Sequence, residues 1–336
     1  MKRLPLGFSI RQWPRRLSGT FRLSAPSRVN LATPWSNTQA DVEAFRQNAL
    51  IPNKPLLFQR ETGSPSQHLQ ASEKWFALDT TGTRVLSPYI TDASLETLFP
   101  YELVQQSQDI LRAIASFRDW LLESVSITNT VLAGIVQAAL DEAQAFTQLN
   151  APLSLLIKAL EFNTNQRAKN QPTLELYVAQ AGIENLPQFL KDDLKVPWLL
   201  QEAGKGDVYG SSIWLGTEPT YSPLHRDPNP NLFCQLCGDK SVRLMPPTVG
   251  NHLYFLVQAA IQQQGNSRIR STEMMEGKER TVLHEAVWNS NHYPVEMHQA
   301  NLGPGDALFI PNGWWHSVKS AKSDGQLNGS VNWWFR

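Results

Sequence analysis

Apolar residues recur at two different periods along this chain, and the change of period divides it. The stretch "DVEAFRQNALIPNKPLLFQRE" predicts a helix over 41–47, a proline-marked turn, and a strand over the apolar run 55–58. Residues 62–96 are polar with scattered Thr, Ser and Gly, and predict short strands and loops. Between about 101 and 160 the spacing becomes helical. Leu103, Ile110, Leu111, Ile114, Phe117, Trp120 and Leu121 recur at three- and four-residue steps, and Val131, Ile135, Ala138, Leu140 and Phe146 continue after the "SITNT" break. This predicts a long helical hairpin whose stripes face the core, with a lid or a dimer surface as its other uses.

From Leu174 the texture changes to short apolar runs punctuated by Gly, Pro and Asn: "LELYVAQ", "SSIWLGT", "LFCQLCG", "KSVRLMPP", "ALFIP", "HSVKS" and "GSVNWWFR". Many short strands with turn signals predict a sandwich or barrel, and enclosed β barrels hold small ligands in their mouths. No internal repeat is evident. The charged stretch "NSRIRSTEMMEGKER" interrupts this rhythm and reads as a solvated excursion, with a substrate-facing loop as the alternative.

Composition narrows the picture in three places. Thirty basic and thirty acidic residues cancel over 336 positions, so overall charge gives no argument for nucleic acid or an anionic membrane as partner. No apolar stretch approaches the roughly 20 residues of a spanning helix. Cys234 and Cys237 are the only cysteines, too few for a disulfide scaffold. On a strand, side chains three apart face opposite ways, so they read as small hydrophobes in a reducing compartment rather than a metal or redox pair. The first 40 residues are the exception to neutrality. Lys2, Arg3, Arg11, Arg15, Arg16, Arg22 and Arg28 precede the first acid, Asp41, and serines intervene. That is the composition of a mitochondrial presequence or of a basic tail. The first implies the mitochondrial matrix, the second the cytoplasm or nucleus.

Candidate chemistry begins at "YSPLHRDPNPN". On an extended chain His225 and Asp227 point the same way and Arg226 points elsewhere, so the pair can address one ion. A further ligand has to come from a distance, and His68, His252, His284, His292, His298 and His316 are the candidates. His316, in "GPGDALFIPNGWWHSV", follows a strand and a Gly-bearing turn, with Trp314 and Trp315 beside it to exclude water. Two histidines and a carboxylate on a β scaffold are the donor set that holds iron(II) with adjacent positions open.

These motifs, in this order and with "SVNWWFR" closing the chain, resemble the JmjC-domain, cupin-like, iron(II)- and 2-oxoglutarate-dependent oxygenases, nearest the factor-inhibiting-HIF type of small hydroxylase. The resemblance covers about 174–336, extends to 41–58, and is absent over the helical hairpin. It implies a mainly β fold with helical additions, a double-stranded β-helix (jelly-roll) core, and one oxygenase domain over 41–336 behind a basic tail. It implies iron ligation by His225, Asp227 and His316. It further implies that Lys240 pairs with the distal carboxylate of 2-oxoglutarate, and that Ser222, Asn231, Asn332 and Tyr177 line the metal and co-substrate pocket. The implied reaction converts 2-oxoglutarate and dioxygen to succinate and carbon dioxide while hydroxylating a protein side chain.

Methyl-lysine demethylation and tRNA-base hydroxylation are the alternatives within that chemistry. The lack of a zinc-binding cysteine cluster, a reader domain or a basic surface leans towards hydroxylation. A JmjC-like binding module without activity is the alternative of another class. A cupin using another metal without 2-oxoglutarate leaves Lys240 and Asn231 unexplained. The sequence ends directly after the last strand motif, so the resemblance carries over neither a dimerisation helix nor an asparaginyl substrate, and a monomer or weak dimer is expected.

Overall fold

The computed structural model describes residues 23–105, 107–142, 144–262, 277–289, 293–294 and 296–336; the basic tail up to residue 22 lies outside them. The Gly-, Pro- and Asn-punctuated runs of the C-terminal half become strands that pass between two sheets. Val208–Thr217, Asn231–Cys237, Ala307–Ile310 and Leu327–Phe335 belong to a nine-stranded sheet. Tyr221–Arg226, Lys240–Met245, His298–Leu302 and Trp315–Ser320 belong to a five-stranded one. Eight antiparallel strands shared in this way between two packed sheets form a jelly roll. The large sheet continues past Val208–Thr217 through Tyr177–Gly182, Leu98–Val104 and Phe146–Pro152.

Period-2 alternation decides what each strand offers the cavity between the sheets. Along Leu327–Phe335, Val331, Trp333 and Phe335 enter an apolar core shared with the helices, while Ser330, Asn332 and Trp334 face the opposite sheet. A second core of Val242, Leu244, Ala300, Leu308 and Val318 fills the dry end between the sheets. The fold expected from the resemblance is the one observed.

The helical hairpin is present but shorter than predicted. Its helices are Gln108–Leu122 and Ile127–Asp141, capped by Ser107 and Ser126, whose hydroxyls accept from the amides of Ile110 and Asn129. Leu103 and Phe146 fall instead in the paired strands Leu98–Val104 and Phe146–Pro152, which carry the hairpin on the large sheet. A third helix, Leu153–Ala168, follows. The buried face of the second helix is Leu132, Ala133, Val136 and Ala139, while the predicted Val131 is 56% exposed. That helix is apolar on more than one face, so spacing alone could not choose between them.

Residues 62–96 hold more helix than expected, with Gln70–Lys74 and Pro88–Ser94 beside the paired strands Phe76–Leu78 and Arg84–Leu86. Ser87 followed by Pro88 is a helix-start signal hidden in a polar stretch. The predicted solvated excursion is corrected only at its last residues, 277–280, which open a helix. Pro247–Ile261 and Gly277–His284 are helices that bury Val249, Leu253, Tyr254, Val257 and Leu283 against Leu224, Met245 and Trp315 on the outer face of the small sheet. Of "NSRIRSTEMMEGKER", positions 266–276 lie outside the described residues, while Glu279 is buried.

A register shift between Gln235 and Cys237 puts both cysteines in the same apolar core, not on opposite faces as expected. Both thiols are free, and burial pushes that of Cys237 up to about 12. Among the described residues no helix is long and apolar enough to cross a membrane.

Gly250 shows how tightly the outer helices seat. A Cβ there would overlap the indole of Trp315. Gly250→Ala should therefore destabilise the protein by about 1–3 kcal/mol, although alanine is the better helix former by about 1 kcal/mol. A thermal melt that rises instead would show that this contact does not limit the packing.

Candidate metal and co-substrate site

Two strands of the small sheet supply the histidines. Tyr221–Arg226 pairs antiparallel with Trp315–Ser320, and the register sets His225 opposite His316 with ring centroids 4.1 Å apart. The register shifts between Ser222 and His225, and this irregularity lets both of these residues line the cavity although they are three apart. Asp227 follows at the strand end, where its carbonyl accepts from the amide of Gly313.

Local backbone fixes both imidazoles. Nδ1 of His225 lies 2.7 Å from the carbonyl of Pro223, and Nδ1 of His316 lies 3.1 Å from that of Trp314. As the proton-bearing nitrogens they leave Nε2 as the metal-type donor. These Nε2 atoms stand 4.0 Å (His225, to Oδ1) and 3.6 Å (His316, to Oδ2) from the Asp227 carboxylate. One ligand atom from each of the three residues lies within 4.8 Å of the other two, and all three residues are buried. Two neutral nitrogens and one anionic oxygen converging in a buried cleft fit a divalent iron-type ion.

Asp227 holds its charge against its surroundings. Burial alone would raise its pKa, but the fields of His316 and His225 and hydrogen bonds from Trp334 and Asn231 outweigh that and lower it. Trp334 Nε1 donates to Oδ2 at 2.8 Å and Asn231 Nδ2 donates to the same atom at 3.0 Å. Behind them, Asn332 Nδ2 donates to Asn231 Oδ1 at 3.2 Å, and Trp214 Nε1 donates to Asn332 Oδ1 at 2.7 Å.

Lys240 lies across the cavity, 2% exposed. Its Nζ donates to Ser330 Oγ at 2.9 Å and to the Tyr177 hydroxyl at 3.4 Å, over the rings of Phe233 and Tyr177. Burial lowers its pKa to about 7, with only the more distant Glu218 acting to raise it. A buried ammonium that donates to hydroxyls is suited to an anion that arrives from outside.

A cleft of about 460 Å³, counted out to its solvent mouth, takes in the triad and the lysine. All eight residues expected at the site, Tyr177, Ser222, His225, Asp227, Asn231, Lys240, His316 and Asn332, line it. The two asparagine amides bond to each other and to Asp227, so they support the triad from the wall. Trp314 and Trp315 do not wall the cavity. Strand alternation that turns His316 inward turns Trp315 outward against Tyr254, and Trp314 bonds to the carbonyl of Asn53. The walls are Trp214 and Trp334 instead.

Arg226 faces out over the Trp315 ring, as its position between two inward residues implies. His292 lies outside the described residues, and no other His/Cys/Asp/Glu cluster of metal-binding size occurs among those described. Sequence reasoning missed Trp214, Trp334, Ser330 and Gln180. Trp334 and Ser330 share the face of Asn332 by period 2, which was a readable signal. Trp214 comes close only through strand pairing, and Gln180 takes an unusual left-handed φ of 54° beside the cavity.

The chain is 33% identical over 185 residues to JmjC domain-containing protein F of Dictyostelium discoideum, covering 51% of this chain and 38% of that protein. It is 28% identical over 175 residues to lysine-specific demethylase JMJ30 of Arabidopsis thaliana, covering 51% and 35% respectively. With the human bifunctional peptidase and (3S)-lysyl hydroxylase JMJD7 it shares 26% identity over 222 residues, 63% of this chain and 67% of that protein. The chain thus spans less than half the length of the first two of these relatives. Residues 43–336 match the family model described as a cupin-like domain, and the chain belongs to that JmjC-type cupin-like family.

Proposed function

We propose that this protein is an iron(II)- and 2-oxoglutarate-dependent oxygenase that hydroxylates a protein side chain. The observation that carries the reading is Lys240, a buried cation held by hydroxyls in the same cavity as two histidines and an aspartate. His225, Asp227 and His316 would hold the metal. Lys240, with the hydroxyls of Tyr177 and Ser330 beside it and Ser222 also on the cavity wall, would hold the far carboxylate of the co-substrate. When bound, metal and co-substrate supply the oxidative decarboxylation that yields succinate and carbon dioxide and places an oxygen atom on a C–H bond. The chain's own part is orientation and exclusion of water, through Trp214, Trp334, Phe233 and Ile310 on the cavity wall.

Similarity over 67% of a protein named as a (3S)-lysyl hydroxylase, against 35% of one named as a demethylase, supports hydroxylation as the outcome. The basic N-terminal composition supports a mitochondrial address, which imaging of a carboxy-terminally tagged full chain would check.

Purified protein supplied with iron(II), ascorbate and 2-oxoglutarate should release succinate, and His225→Ala or Asp227→Ala should abolish that release. Unchanged turnover in either variant would refute the assignment.

Lys240 separates function from stability. Lys240→Met should weaken 2-oxoglutarate binding on the order of a hundredfold. The same change should raise the melting temperature. The folded pKa of about 7 lies below the unfolded value of 10.5, so the folded state binds fewer protons between them. The lysine's destabilising effect is therefore complete below about 7 and fades towards 10.5, and the gain from methionine should fade over the same window. Binding must also charge the lysine. Calorimetry in the wild type should show proton uptake on binding, and affinity falling about tenfold for each pH unit above the folded pKa. A pH-independent affinity there would remove Lys240 from the co-substrate site.

A further inference from the structure

Resting on that reading, the hydrogen bonds behind Asp227 carry one step more. An indole N–H can only donate, whereas an asparagine amide can present either its oxygen or its NH₂. Trp214 Nε1 points at one end of the Asn332 amide at 2.7 Å, and that end must therefore be the oxygen. Asn332 then has only its NH₂ left to turn towards Asn231, 3.2 Å away, so the end of Asn231 that it meets must be oxygen too. Asn231 in turn presents its NH₂ to Asp227 Oδ2 at 3.0 Å, where Trp334 also donates at 2.8 Å.

We infer that Trp214 is a positioning residue for the metal centre: it fixes the orientation of two amides in series, so that Asn231 gives Asp227 Oδ2 a second donor beside Trp334. Two donors engage Oδ2, at 3.0 and 2.8 Å, and leave Oδ1 the freer oxygen for a cation. In the opposite orientation Asn231 would set a carbonyl oxygen against the carboxylate. That arrangement repels the charge and lets Asp227 rotate.

Trp214, Asn332 and Trp334 are buried or nearly so, and the path crosses two adjacent strand pairs. Val208–Thr217 carries Trp214, Leu327–Phe335 carries Asn332 and Trp334, and Asn231–Cys237 carries Asn231. The ring of Trp214 also packs obliquely on Tyr177, with centroids 5.9 Å apart, so a phenylalanine at 214 keeps an aromatic ring on the wall while deleting the donor.

The test measures manganese(II) affinity of the full chain by anaerobic calorimetry, with manganese as a redox-stable stand-in for iron. Trp214→Phe should weaken binding roughly tenfold, in the range seen for outer partners of metal ligands. Asn332→Asp, which accepts from Trp214 but cannot donate to Asn231, should do the same. In a double-mutant cycle, Trp214→Phe should cause no further loss once Asn231→Ala has cut the path.

Melting curves of the metal-free variants show whether each is folded, and Asn332→Asp serves where Trp214→Phe is not. Wild-type affinity in the folded variants, or losses that simply add in the cycle, would overturn the inference while leaving the oxygenase reading intact. A wild-type protein that takes up no manganese(II) would instead overturn that reading, and this inference with it.

Discussion

Everything at the site depends on one cross-strand pair, His225 opposite His316 in the small sheet. Side chains on a strand alternate, so a slip of one residue would send His316 to the outer face and bring Trp315 into the cavity. The outer packing forbids that slip. Trp315 is held by Asn251 through its indole N–H and fits over Gly250, where no other side chain leaves room, while Leu224 and Met245 fill the same apolar layer. A helix on the outer face of the small sheet thus sets the register that brings the candidate ligands together.

The cavity so formed is electrically divided. Asp227 and the two imidazoles occupy one end and Lys240 the other, with aromatic rings between. Both charges are buried, so each is governed by its few neighbours: His316, His225 and two hydrogen-bond donors hold Asp227 ionised against its burial, and burial draws the pKa of Lys240 down. Such a slot suits a small dianion that chelates at one end and meets an ammonium at the other. Keeping it requires stability from elsewhere, and the large apolar core between the nine-stranded sheet and the helices supplies it.

Much of this was legible in the sequence, for reasons that differ by residue. His225 and Asp227 were readable because period 2 in a proline-rich stretch leaves little choice of conformation. His316 and Lys240 needed the family resemblance, since nothing local says that strands so far apart will face one another. Trp314 and Trp315 misled: adjacency to His316 in sequence is opposition on a strand. The helix Pro247–Ile261 was hidden because the charged run after it dominated the reading, and the hairpin's strand ends because a few apolar residues beside a helix share its spacing. Trp214 was invisible, its role arising only from pairing across two strands.

Indole donors recur wherever backbone or side-chain polarity near the site must be fixed, and the strand irregularity at Ser222 shows why. A strand that shifts register leaves a carbonyl outside the regular ladder. Ser317 Oγ donates to the carbonyl of Ser222 at 2.8 Å, and Trp288 Nε1 donates to Ser317 Oγ at 2.9 Å. The hydroxyl, able to donate or accept, is thereby committed to donating to the carbonyl. Trp214 acts in the same sense upon Asn332 on the other sheet. In both cases a donor-only group packed in the core removes an ambiguity from a group nearer the candidate ligands, so the geometry of the triad is held from both sheets by rigid rings.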